Sequence, residues 1–458
     1  MKSTKERISG IVQLTRRGAG YLPWASHEDI EISSDKLKGA LNGDTIEVEI
    51  TGLHPRPAGT VIKIVARAKT EFVATVKNGR VIPDDQRFNE PIQVEKIPAD
   101  GTKILVELLS FDGITAKGRI KEEIGKAGEH RVEMNAIVLE HGFQTSFPPA
   151  VVAEAKEIEK NHAKIIEEEA LKRADYRDTT TFTIDPADAK DFDDALSIKE
   201  LPGGEYEIGV HIADATFFVR DGTALGAEAE KRATSVYLVD ATIPMLPHEL
   251  SGNVCSLREG EDRLTFSAVF RMNKNAEVLE RRFEKSIINS NKRFTYEQAQ
   301  KILDEADAKD GLLQSKGPSF ASELKILRDL SRIMRKKKEN AGAIDFGDHE
   351  FKFNLDEQGK VLSITRKERI ETNLLIEEFM LLANREVAHF VTKLAEKVPE
   401  HGMVFLYRIH DQPKEDRIEE LATFVRAVGY DFAHKRKPTA RDIRKLLEEI
   451  KGKPEEHL

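Results

Sequence analysis

The sequence predicts a multidomain protein with two small β units at its N-terminal end, a charged helical connector and a mixed α/β domain filling the rest of the chain. Three observations predict it. At roughly 150 residues per domain, 458 residues correspond to about three domains. Up to about residue 145, apolar and polar residues alternate between glycine and proline turn signals. From about residue 179, strand patterns are followed by long amphipathic helical ones.

In chain order, Ile46, Val48 and Ile50 alternate with Thr45, Glu47 and Glu49, the period of a half-buried strand. The stretch from Arg16 to Leu22, followed by Trp24, joins cations, glycines and Tyr21. In a small barrel this offers a base-stacking surface beside phosphate-binding charge. It reads equally as a glycine-rich hairpin with a core aromatic. A second β unit, residues 67 to about 148, contains Phe72–Val76 and Lys103–Leu108 as strands. Pro148-Pro149 opens a helix to about residue 175, whose repeated Glu and Lys suggest a solvated connector. Strands at Ala195–Lys199 and Tyr206–Ile212 flank Pro202-Gly203-Gly204, a hairpin signal. Residues 295–306 and 320–340 read as amphipathic helices, and Leu374–Leu382 as a helix apolar almost all round.

Composition narrows the function classes. Hydrophobic residues make up 40% and charged residues 33%, the balance of a folded soluble chain. No apolar run approaches the ~18 residues of a membrane span, and no apolar core follows the basic N-terminus as a secretory signal requires. A single cysteine, Cys255, leaves no internal disulfide and no multi-cysteine metal site. A reducing, cytoplasmic setting is the expectation. Net charge is 71 − 80 = −9, which disfavours wholesale nucleic-acid binding but allows local basic grooves and an acidic metal site.

The densest chemistry lies between Asp185 and Asp194. Asp185, Asp188, Asp191, Asp193 and Asp194 place five carboxylates within ten residues. Such crowded like charges repel unless something offsets them. Mg²⁺ does so, taking carboxylate oxygens together with substrate phosphates, and paired ions can clamp both oxygens of a phosphodiester displacement. Other readings remain. A solvated acidic loop fits the interleaved Pro, Ala and Phe poorly. A helix-loop-helix calcium site fails, because Lys190 and Leu196 stand where Gly and Glu are needed. An aspartyl-phosphate site at Asp191 or Asp193 lacks a supporting neighbour.

The pattern Asp185-Pro-x-x-Ala-Lys-Asp191-x-Asp193-Asp194-Ala195 resembles the signature of the ribonuclease II and ribonuclease R family. The resemblance continues through His211-Ile-Ala-Asp214, Thr234-Ser-Val-Tyr237, Ile243-Pro-Met-Leu-Pro247, Leu250-Ser251, Cys255-Ser-Leu257 and Arg293-Phe-Thr-Tyr296. It reaches Ile376-Glu377-Glu378 to Asn384 and Tyr407-Arg408-Ile-His410-Asp411. It implies a processive 3′→5′ hydrolytic exoribonuclease releasing nucleoside 5′-monophosphates from single-stranded RNA. It also implies that the two β units are cold-shock-like, oligonucleotide-binding (OB) barrels, at 1–66 and 67–148. A helical connector at 149–178 and a catalytic RNB domain at 179–458 would follow.

Carried over by resemblance, Asp185, Asp191, Asp193 and Asp194 would hold Mg²⁺, or Mn²⁺, with Asp193 most needed for turnover and Asp188 outside the set. Tyr237 would stack on the terminal base and Phe346 on its neighbour; core packing is the alternative for both. On the 373–384 helix, Asn373, Glu377 and Asn384 fall at 0°, about 40° and about 20° on one polar stripe. This stripe suits a ribose 2′-hydroxyl, which both donates and accepts. An inter-helix hydrogen-bond network suits it equally. Arg335-Lys-Lys-Lys338 reads as a phosphate-attracting patch or a solvated helix end.

Some features depart from the family. Glu31 stands where an aromatic is usual. The chain ends at Gly452-Lys-Pro-Glu-Glu-His-Leu458, inside the catalytic domain of the family pattern. A Ser-Pro-Ile-Arg-Arg-Tyr-Pro-Asp-like stretch, an S1 domain and a basic tail would follow there. The expectation is a piece completed by further sequence or a partner chain, with an apolar face left uncovered. Such a piece would bind RNA while turning it over slowly, since a missing cation costs ~10²–10³ in rate.

Overall fold

The structure, a computed structural model, describes residues 6–25, 27–53, 56–308, 320–344, 350–356, 359, 361–398, 402, 404–430, 432 and 439–457. Phe346 lies outside them. The chain forms two compact units. The first comprises residues 1–148 together with 232–245 and 353–364; the second holds the remainder.

The first unit begins with a six-stranded sheet of β1 (Arg7–Ile11), β2 (Gln13–Leu14), β3 (Gly20–Leu22), β4 (Ile30–Ile32), β5 (Thr45–Gly52) and β6 (Ala58–Ala66). The alternation read at 45–50 is real: Ile46 and Val48 are fully buried, beside Leu22, Ile30 and Ile32. A closed five-stranded barrel follows, built from β7 (Glu71–Lys77), β8 (Arg80–Pro83), β9 (Ile92–Gln93), β10 (Thr102–Phe111) and β11 (Ala116–Lys126). The joint between them is polar. Buried Asp44 accepts from the Leu41 amide at 2.8 Å, the Ala68 amide at 3.0 Å and Arg67 Nη1 at 2.6 Å.

Read as purely β, residues 67–148 hide a helix, α1 (His130–Glu140). It buries Ala136 and Leu139 against Val73 and Leu105 of the barrel wall, and Glu140 accepts from the Val73 amide at 2.9 Å. Its 11 residues carry no strong apolar stripe, so tertiary packing decides the conformation.

The second unit opens with α2 (Pro149–Ala170). This helix is not the freely solvated connector expected. Val151, Ala155 and Ile166 are buried, Glu159 Oε1 accepts from Asn253 at 2.8 Å, and Glu154 accepts from the Leu225 amide at 2.8 Å. A seven-stranded sheet then forms from β12 (Ala174–Asp175), β13 (Thr181–Asp185), β14 (Asp194–Leu201) and β15 (Glu205–Ala213) with three later strands. The short helices α3 (Ala215–Phe218) and α4 (Ala224–Arg232) come next, then the hairpin β16 (Val236–Tyr237) and β17 (Thr242–Ile243), which belongs to the first unit. The sheet resumes with β18 (Asp262–Met272), β19 (Val278–Asn289) and β20 (Lys292–Thr295), in the order β12-β19-β18-β15-β14-β13-β20. The β14–β15 turn falls at Gly203 and Gly204, both at positive φ, as the Pro-Gly-Gly signal required.

One sheet face packs on α5 (Tyr296–Ala308) and α6 (Ala321–Asn340) and, after the ribbon β21 (Glu350–Leu355) and β22 (Val361–Lys367), on α7 (Glu371–Lys397). Phe182, Phe270, Leu324, Leu327, Leu375 and Phe379 centre that core. The helix read at 374–382 as apolar almost all round is part of α7, which runs 27 residues; Leu375, Ile376, Phe379 and Leu382 are buried, while Leu381 is 44% exposed. At the basic end of α6, Lys336 and Lys337 are exposed, as a solvated helix end requires, yet two of the cations are engaged. Lys338 pairs with buried Glu378 at 2.5 Å, and Lys337 donates to the Asn275 carbonyl at 2.6 Å.

Inside the sheet, fully buried His211 lies between Ser267 Oγ at 2.5 Å and Ser197 Oγ at 2.8 Å. Burial pushes its pKa down to about 3, so it is neutral. α8 (Glu415–Ala427) and α9 (Ala440–Ile450) bury Val425 and Leu446 together with Phe432. Between α7 and α8, Val404 is 94% and Leu406 92% exposed. Among the described residues no helix is long and apolar enough to cross a membrane.

Candidate active site

The acidic loop is held between two strand ends. Asp185 closes β13, Asp194 opens β14, and Asp191 and Asp193 lie between them. β13 also runs parallel to β20, with Asp185 beside Thr295. Tyr296, the first residue of α5, therefore starts at the same point.

A loop of like charges needs its backbone pinned, and four residues outside it do this. The Phe192 amide donates to Ser256 Oγ at 2.9 Å, and the Leu257 amide donates to the Phe192 carbonyl at 2.8 Å. Arg293 Nη2 donates to the Pro186 carbonyl at 2.6 Å, and its guanidinium lies 5.2 Å from the Phe192 ring centre. From β15, the Ala213 amide donates to the Asp193 carbonyl at 2.9 Å.

At Asp185, Asp193 and Asp194, burial and neighbouring negative charge outweigh what compensates them. Burial raises Asp185 to about 6; Thr183 and Arg293 pull the other way, while Asp194 and Asp193 add to the rise. Asp194 is likewise raised to about 6, by burial and then by Asp193. Asp193 retains solvent-exposed surface, yet enough chain surrounds it that burial, then Asp191, still raises its pKa. Asp185 Oδ2 is buried without a hydrogen-bond partner. Asp188, expected to stand outside the set, is exposed.

Among the described residues no three His, Cys, Asp or Glu side chains lie close enough to ligate one ion as they stand. The donor set nonetheless fits a hard divalent cation. It offers oxygen only, one buried oxygen lacks a partner, and two pKa values are raised by burial and neighbouring negative charge, which a cation would reverse.

Tyr296 was not singled out as a site residue. Burial, then Asp194 and Asp185, push its phenol up to about 12, and it hydrogen-bonds Asn373. Its signal was present in the Arg293-Phe-Thr-Tyr296 motif, but only the β13–β20 register shows where it points. Arg293 and Ser256 likewise stand in sequence motifs that give them no role by themselves.

The polar stripe of α7 divides into three environments. Asn373 serves Tyr296 and also accepts from the Ile370 amide at 3.1 Å. Glu377 is ion-paired with Arg369, and Asn384 is exposed. Tyr237 is 68% exposed on β16, in the first unit, so it is not a core residue. Tyr21 is half-buried on β3, paired with Gln13.

The raised carboxylates give a signed stability prediction. Native Asp194 keeps its proton to about pH 6, whereas the unfolded chain loses it near 3.8. Between those values the native state binds more protons, so this group's contribution falls as pH rises. In chelator, Asp194→Asn should therefore be about 1–3 kcal/mol more stable than the parent at pH 8, with the gap closing toward pH 5. Urea unfolding at both values checks it; a gap that does not change with pH would show the charge is not the cause.

Two oligonucleotide-binding-type β units ahead of a sheet-and-helix domain that carries an acidic loop define the class. The chain belongs to the RNB domain family, which matches residues 173–458. A Ribonuclease B OB domain matches residues 10–64 and a cold shock domain residues 81–148. Ribonuclease R of Thermotoga maritima is 34% identical over 469 residues, covering 97% of this chain and 63% of the relative. The chain thus spans just under two thirds of the length of that relative. In fold it is similar to Mycoplasma genitalium RNase R in complex with ribose-methylated single-stranded RNA, with TM-score 0.84, 23% identity, and coverage of 98% of this chain and 71% of that one. It is also similar to yeast Ssd1, a pseudonuclease, with TM-score 0.68, 16% identity, and coverage of 98% and 62%.

Proposed function

We propose that the chain carries the metal-binding part of a cytoplasmic, Mg²⁺- or Mn²⁺-dependent 3′→5′ exoribonuclease that hydrolyses single-stranded RNA to nucleoside 5′-monophosphates. The observation that carries the reading is the acidic loop, where Asp185 and Asp194 are kept above their ordinary pKa and Asp185 Oδ2 is buried without a hydrogen-bond partner. Asp185, Asp191, Asp193 and Asp194 would hold the ion. A bound ion supplies an activated water and neutralises charge on the scissile phosphate.

The chain's own residues do the rest. Arg293, Ser256 and Leu257 keep the loop in place. Tyr296 stays protonated at neutral pH and, with Asn373, offers donors and an acceptor suited to a ribose hydroxyl. Residues 1–66 and 67–148 would bind oligonucleotide, 149–178 connect, and 179–458 carry the chemistry. The RNA in the Mycoplasma neighbour supports a single-stranded substrate.

A second reading is an RNA-binding module without efficient turnover. Two observations favour it: the carboxylates are not gathered around one point, and a pseudonuclease shares the fold. Incubating end-labelled single-stranded RNA with the chain and Mg²⁺ separates the readings. Released monophosphates support the nuclease, and binding without products supports the module. A deoxyribose strand degraded equally well would overturn the RNA assignment.

Tyr237 should stack on a base. Tyr237→Ala is expected to weaken short-RNA binding by about 1–3 kcal/mol, read by anisotropy at fixed salt, because affinity for nucleic acid depends on salt. Unchanged affinity would remove Tyr237 from the RNA path.

A further inference from the structure

The β16–β17 hairpin that displays Tyr237 pairs only Val236 with Ile243 and Tyr237 with Thr242. A two-stranded hairpin this short is not stable alone in water. Something outside it must hold Tyr237 in place, and the first unit provides two fastenings.

At the base, nearly buried Arg232 donates from Nη1 to the Pro244 carbonyl at 3.2 Å and from Nη2 to the Ser146 carbonyl at 2.6 Å. Its guanidinium lies 3.8 Å from the Phe147 ring centre. At the tip, Leu238 donates to the Ala241 carbonyl at 2.8 Å to close the turn. Asp240, inside that turn, meets His130 Nε2 at 3.0 Å. His130 is the first residue of α1, on the second barrel. Gly359, between β21 and β22, lies against the same ring: a Cβ added there would come within 2.7 Å of it.

We propose that the second barrel positions the Tyr237 hairpin through the His130–Asp240 pair and the Arg232 clamp, making His130, Asp240 and Arg232 positioning residues for RNA-end binding. This rests on the reading of Tyr237 as a base-stacking residue. The barrel then acts on RNA twice, through any surface of its own and through the aromatic it holds from elsewhere in the chain. A charge-assisted pair at the tip and a stacked cation at the base fix both ends of an element with little stability of its own.

The test uses the full 458-residue chain and a fluorescent hexauridylate at one salt concentration. His130→Ala and Asp240→Ala should each weaken binding about 3–10-fold, and the double variant should be no worse than the more affected single. In a Tyr237→Ala background the same changes should cost almost nothing further, because the residue they position is gone. His130→Gln, which keeps an amide donor, should recover most of the affinity. Equal losses in both backgrounds would show a general structural effect and overturn the proposal.

Hydrogen exchange separates this inference from the stacking reading. Amides 236–243 should exchange faster in Asp240→Ala, and unchanged exchange there overturns the positioning role whatever the RNA does. If exchange quickens but Tyr237→Ala binds RNA as the parent does, positioning of the hairpin stands and base stacking by Tyr237 fails.

Discussion

Asp193→Asn should lower metal-dependent hydrolysis of single-stranded RNA by at least about 10³-fold while leaving the chain folded. An ion held at the acidic loop, as proposed, would contribute several kcal/mol to neutralising the phosphate and activating water. Each 1.36 kcal/mol corresponds to a factor of ten, so losing most of that contribution reaches three decades. The fold should tolerate the change. Asp193 is solvent-exposed, its backbone carbonyl keeps the bond from the Ala213 amide, and removing its charge relieves neighbouring Asp194. Asp188→Asn, on the same loop but outside the proposed ligand set, should hydrolyse and bind Mn²⁺ as the parent does. Single-turnover hydrolysis and Mn²⁺ binding, compared across the parent and both variants, check the assignment. Equal damage from Asp188→Asn and Asp193→Asn would place the ion elsewhere on the loop.

What the sequence made legible was whatever depends on local pattern. Strand alternation at Thr45–Ile50, the Pro-Gly-Gly turn and the amphipathic helices at 295–306 and 320–340 are set by neighbours in sequence, and the structure places elements at each. The acidic loop was legible because its residues are contiguous. Tyr296 was not, since its proximity to Asp185 and Asp194 comes from a parallel pairing between β13 and β20, strands about a hundred residues apart. Helix α1 was missed for a related reason: its packing face exists only against the barrel wall. The stripe on α7 shows the opposite error. Helical periodicity correctly places Asn373, Glu377 and Asn384 on one face. It cannot say that Arg369 pairs with the second while the third is exposed to solvent.

The largest stability loss should come from Arg173, which joins the end of α2 to the strand beside the acidic loop. Its side chain is fully buried. Nη1 meets Asp214 Oδ2 at 2.8 Å and donates to the Thr265 carbonyl at 3.2 Å, Nε meets Glu169 at 3.3 Å, and the guanidinium lies 5.2 Å from the Phe217 ring centre. Asp214 is itself only 7% exposed and directly follows β15, the strand whose Ala213 amide holds the Asp193 carbonyl. Arg173→Met keeps most of the apolar stem but removes the charge, leaving a nearly buried carboxylate without its cation. Breaking a buried pair from one side costs about 3–5 kcal/mol, and urea unfolding at pH 7 should show a loss of that size. Adding Asp214→Asn to Arg173→Met should recover part of it, because a neutral amide costs less to bury than an unpaired carboxylate. The link to function is separable: at temperatures where Arg173→Met stays folded, Mn²⁺ binding should also weaken, since the strand end that anchors the acidic loop has lost its tether. A loss below about 1 kcal/mol would mean that Asp214 is solvated or finds another cation, and that Arg173 does not brace the site.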